Sequence, residues 1–134
     1  MNVEDFLTGV AANFEGSKSR PPSVAMLIKK ISTYKAFGLT EAEIASRIRP
    51  KPKFSEAERN DAVGRYSKLL SEVGLNQTAF TSVMRELKTD SFEGLLRVGE
   101  LRQILGSYVG STKMSSKDDG IMRIQKRFED RLAA

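Results

Sequence analysis

Twenty-two Lys and Arg side chains, with a scatter of Ser, Thr, Asn and Gln, carry whatever chemistry this chain performs, because its 134 residues include neither His nor Cys. Without His the chain lacks the usual general base near neutral pH and the commonest metal ligand. Without Cys it has no thiolate nucleophile, no thiolate-bound metal and no disulfide. A Ser-His-Asp or Cys-His site is therefore excluded. The 17 acids show no D-x-[DN]-x-[DN]-G metal-loop spacing. The expectation is a protein without metal or cofactor that is not an enzyme. Carboxylate pairs or a Lys could still do chemistry, but the composition favours anion binding, and a net charge of +5 suits a polyanion. Bases outnumber acids seven to five in 1–50, seven to six in 51–90 and eight to six in 91–134, so the excess is spread along the chain. A soluble basic surface that binds no nucleic acid has the same composition.

Helices must position these side chains. Asn2 is placed to cap a first helix with Phe6, Leu7, Val10 and Phe14 on its apolar face. Ser23 opens a second, with Val24, Leu27, Ile28, Ile31 and Tyr34 on one face and Gly38 at its end. Thr40 with Glu43, and Ser55 with Glu58, are capping boxes for a third and a longer fourth helix, and Leu39 with Ile44 reads as a hydrophobic staple. The fourth carries Val63, Tyr66, Leu69, Leu70 and Val73. Gly74 ends it and Asn76 caps the next, whose apolar face is Phe80, Val83, Met84 and Leu87. A short helical turn is expected at 92–95, then a closing pair at 100–108 and 117–132. No stretch alternates with period two, so the fold class is all-α, a bundle of about six to eight helices. The segments are 1–50 with three helices, 51–96 as a helical hairpin and 97–134 as a helix-loop-helix, within one structural domain or two helical subdomains. The proline- and lysine-bearing strip 50–53 is the best linker candidate.

Three constellations could bind. In 66–88 a glycine turn at Gly74 joins two helices, Leu75 fills the angle, and Gln77, Thr78, Ser82 and Arg85 fall away from the apolar face of the second. This spacing resembles the helix-turn-helix of bacterial repressors, which implies that those four side chains meet base edges or phosphates. An ordinary helical hairpin has the same pattern. A second pair, 27–37 and 40–48, is followed by the basic strip Arg47, Arg49, Lys51 and Lys53, which can track a phosphate backbone or simply be a solvated linker. In the third, Ile121, Ile124, Phe128 and Leu132 form the apolar stripe of the last helix. Arg123, Lys126, Arg127 and Arg131 lie opposite, with only Asp130 among them. Helix, extended polar loop, then helix is similar to the SAP and helix-extended-loop-helix group of nucleic-acid-binding modules. That resemblance implies Lys113, Ser116 and Lys117 as phosphate contacts, aided by the helix dipole. Asp118 and Asp119, which would repel phosphate there, suit the dipole of a first turn.

Taken together, the residues point to a small nucleic-acid-binding accessory or regulatory protein, with DNA favoured over RNA. The alternative is a protein-binding inhibitor or adaptor of the mobile-element kind, acting through a helical face. A homo-oligomer packed through the helix at 56–73 is a third reading. The acidic start, MNVEDFL, lacks a signal-peptide pattern, and the longest apolar run is 24–28, so a cytoplasmic protein without membrane spans is expected.

Overall fold

The six polar residues placed before helices all act as caps. Asn2, Ser23, Thr40, Ser55, Asn76 and Ser116 each accept, on the side-chain oxygen, the backbone N–H three residues on. Such a cap is worth about 1 kcal/mol. The computed structural model describes residues 2–134 and is all-α there: α1 (Val3–Asn13), α2 (Val24–Phe37), α3 (Glu41–Arg47), α4 (Glu56–Glu72), α5 (Gln77–Glu93), α6 (Val98–Val109) and α7 (Lys117–Ala133), with no strand among the described residues. Among these residues, no helix is long and apolar enough to cross a membrane.

The chain divides into two units, Met1–Lys53 and Phe54–Ala134, so the segments 51–96 and 97–134 share one core apart from the first three residues of the former. In the N-terminal unit the backbones of α1 and α2 both pack on α3 and approach each other little. Their common core is Val10, Tyr34, Leu39, Ile44 and Ile48. Asn13, at the end of α1, donates from Nδ2 to the carbonyls of Ala45 (2.8 Å) and Ile48 (3.0 Å). It thereby satisfies carbonyls that the last turn of α3 leaves without helical partners. Val24 and Ile28, expected on the packed face of α2, are instead 73% and 62% exposed.

In the C-terminal unit α6 packs between α4 and α7, while α5 touches both α4 and α7. Phe80 of α5 and Phe128 of α7 stack with centroids 4.0 Å apart. Tyr66, Leu70, Leu87, Leu101, Ile104, Leu105 and Ile124 are fully buried, each contributing roughly 1.5–3 kcal/mol of apolar transfer. The Tyr66 hydroxyl donates to Asp90 Oδ2, and Arg65 Nη2 reaches the same oxygen at 3.3 Å, joining α4 to α5. Burial first, and then the bond to Asp90, push the Tyr66 phenol well above its usual pKa.

Three local expectations change. The turn expected at 92–95 is the end of α5, which runs on to Glu93 and stops at the left-handed Gly94. Leu75 does not fill the angle between α4 and α5, because 60% of it faces solvent. Leu132 leaves the apolar stripe at the end of α7 and is 42% exposed.

Candidate nucleic-acid interface

The N-terminal unit assembles a cationic cleft from parts distant in sequence. Gly16 turns the chain after α1 at φ +72°, and the segment through Pro22 then runs without helix to the Ser23 cap. Asn13 holds the exit of α3 beside α1, and Pro50 stiffens the chain beyond that exit. Between these two segments and α2 lies a cleft of about 200 Å³, lined by Arg20, Lys30, Arg49 and Lys51 with Phe14, Ile48 and Ser19 among its walls. All four of its ionisable side chains are cationic. Arg49 Nη1 donates to the Ser46 carbonyl at 3.3 Å, which orients the guanidinium over the end of α3. Like charges so gathered repel one another, and an anion between them relieves that repulsion.

Of the residues singled out by sequence, Lys51 lines this cleft and Lys53 is exposed two positions on. The strip expected as a linker does end at the boundary between the two units, and its Pro50 and Lys51 also line this cleft. Arg20 and Lys30 are cleft residues that the sequence reasoning misses. The repeated Arg-Pro dipeptide at Arg20 and Arg49 is the signal that pairs the two walls.

On α5, Gln77, Thr78 and Ser82 are exposed, while Arg85 is half-buried. The turn before them is closed by Asn76 N–H to the Val73 carbonyl at 2.9 Å, with Gly74 at φ +54°.

The loop between α6 and α7 is anchored rather than extended. Met114 is 8% exposed and belongs to the core, and Thr112 lies so close to Gly106 that a Cβ there would come within 2.9 Å of its methyl. Lys113 is exposed, with its N–H donating to Ser111 Oγ at 3.3 Å. The start of α7 is already occupied by a carboxylate of the protein. Asp119 Oδ2 accepts the Ser115 N–H at 2.8 Å and Arg123 Nε at 3.0 Å, and Asp119 donates its own N–H to Ser116 Oγ at 3.1 Å. The Ser115 amide, followed by Arg123, holds the Asp119 carboxyl below its usual pKa. Ser116 serves as the cap. Lys117 donates from Nζ to the Ser91 carbonyl at 2.8 Å, placing its charge at the negative end of α5.

The outer face of α7 is mixed rather than cationic. Asp119 and Glu129 lie with Arg123 and Lys126 along one strip, where only Asp130 was expected. Lys126 and Arg127 are exposed. Arg131 sits 6.0 Å from the centre of the Tyr108 ring, at the outer limit of a cation–π contact. No three carboxylates converge on a cation position among the described residues. With this geometry in hand, comparison supplies no relative: no family model, curated protein or solved structure matches the chain.

Proposed function

We propose that this chain is a non-catalytic nucleic-acid-binding accessory protein of the cytoplasm, acting as a regulatory factor and holding phosphates in the cleft of its N-terminal unit. The observation that carries the reading is the convergence of Arg20, Lys30, Arg49 and Lys51 on one cleft with no acid on its walls. Guanidinium and ammonium groups brought together in this way suit consecutive phosphates of a backbone more than a single base edge. The prolines that follow Arg20 and Arg49 restrict the backbone of both walls, which lowers the entropic cost of binding. Gln77, Thr78 and Ser82 on α5, and Lys113, Lys126, Arg127 and Arg131 of the C-terminal unit, are secondary contacts. Asp119 and Glu129 weaken the field around the α7 set. A duplex is favoured over a single strand, since Phe14 alone of the lining residues is aromatic and successive unpaired bases would need several rings to stack on, and duplex DNA is the target of this reading.

Size-exclusion chromatography with mixed duplex DNA and RNA, at low and at physiological salt, tests the reading. A salt-sensitive shift of the protein into the nucleic-acid fractions is expected. The double variant Arg20→Glu/Lys51→Glu should lose that shift while keeping its helicity. Indifference of the unmodified protein to both nucleic acids at low salt would overturn the proposal.

A further inference from the structure

We infer, on the footing of the nucleic-acid reading of the cationic cleft, that this cleft seats the terminal phosphate of a DNA strand. Its cations come from three segments and differ in exposure. Arg20, in the loop before α2, and Lys51, beyond α3, are exposed, whereas Lys30 of α2 and Arg49 are half-buried. No acid on the walls answers the Lys30 ammonium. The exposed Ser19 is the one hydroxyl among the lining residues, and it adds a donor that carries no charge. Between these walls the cleft offers about 200 Å³, the room of several waters at ~30 Å³ each.

A phosphate in the interior of a duplex cannot use all of this. It carries one charge, and the strand continues on both sides of it, so it lies along the mouth, against Arg20 and Lys51. The duplex itself is too broad to enter, since its major groove alone is about 12 Å wide. A terminal phosphate is a monoester with a charge of about −1.5 to −2 and three strong acceptor oxygens, and the chain leaves it on one side only. It can enter end-on and meet Lys30 and Arg49 within, while Arg20 and Lys51 hold the adjoining phosphates at the mouth. Phe14 suits the same placement, because a single ring serves the one base at an end. A free nucleoside monophosphate carries the same group but has no adjoining phosphates.

Fluorescence anisotropy of the full chain with one duplex carrying phosphates at its 5′ ends, at its 3′ ends or at neither tests this placement. The same sequence closed by hairpin loops at both ends serves as a fourth duplex. A phosphorylated end should raise affinity at least about tenfold, the worth of one charge-assisted hydrogen bond, and the closed duplex should bind like the unphosphorylated one. Lys30→Gln should remove the preference, with unchanged circular dichroism, whereas Lys53→Gln, at an exposed position outside the cleft, should keep it. Deoxyadenosine monophosphate should bind at least about tenfold more weakly than the phosphorylated duplex. Equal binding of all four duplexes overturns the strand-end assignment while leaving the nucleic-acid reading in place. So does a preference that survives Lys30→Gln, or a free nucleotide that binds as tightly as the phosphorylated end. Failure of every duplex to bind overturns both.

Discussion

A methyl group on Gly120 would sit 2.8 Å from Met114 Sδ, whereas one on Gly64 would meet nothing within 4 Å. Both glycines lie inside helices, where Ala is favoured by about 1 kcal/mol. Gly64→Ala should therefore raise stability by about 0.5–1 kcal/mol, while in Gly120→Ala the flexible end of Met114 must shift to admit the methyl, so that the gain is smaller there. Urea unfolding of the two variants checks that order, and a larger gain from Gly120→Ala would contradict it. Tyr108 has its hydroxyl buried with no hydrogen-bond partner, so Tyr108→Phe should be neutral or stabilising by up to about 1 kcal/mol. A loss of stability in the same denaturation series would contradict that. These consequences were not legible in the sequence. A glycine inside a helical pattern reads alike whether or not a methionine six residues upstream folds back on it, and a tyrosine's hydroxyl partner is a tertiary fact. The caps Asn2, Ser23, Thr40, Ser55 and Asn76, by contrast, were legible, because each bonds only three residues away, whereas Ser116, expected as a phosphate contact, caps α7 instead.

At the scale of elements, the start of α7 carries a titration. The Asp119 carboxylate bonds the Ser115 amide and Arg123, and its pKa falls below the ordinary 3.8. The ionised form is therefore favoured by folding. Its contribution is complete above the ordinary value, fades as pH drops below it and is lost once pH passes the lowered folded value. The amide proton shift of Ser115 should titrate with a midpoint below 3.8, and Asp119→Asn should abolish that step. A midpoint at or above the ordinary carboxylate value would refute the bond's role. This arrangement explains why the loop departs from the extended form that its composition suggests. Asp118 and Asp119 were expected to suit the helix dipole, but that Asp119 would reach back to Ser115 depends on Met114 anchoring the loop in the core. Helix periodicity located α7, yet its outer face was misjudged. Glu129 and Asp119 join Arg123 and Lys126 along one strip once the angles around the helix are realised.

For the whole molecule, a net charge of +5 spread along the chain says little by itself. Folding converts it into local fields, consuming some cations and gathering others. Arg59 pairs with Glu100 at 3.6 Å, Arg65 with Asp90 and Lys117 with the Ser91 carbonyl. Arg20, Lys30, Arg49 and Lys51 converge. The all-α class was legible because apolar spacing and capping are local, while the cleft was not, because Arg20 and Lys51 lie 31 positions apart and meet only through α3 and Asn13. Half of its cationic wall, Arg49 and Lys51, was visible as a basic strip without a destination. The salt dependence of duplex DNA binding, followed by fluorescence anisotropy, tests the central claim most directly. If Arg20, Lys30 and Lys51 each displace a counterion, affinity should fall roughly 40-fold between about 50 and 200 mM salt. Arg20→Glu/Lys51→Glu should flatten that slope by about 2, whereas reversing Lys126, Arg127 and Arg131 should change it less. Binding that is absent at low salt, or whose slope is unchanged by the cleft variant, would contradict the account.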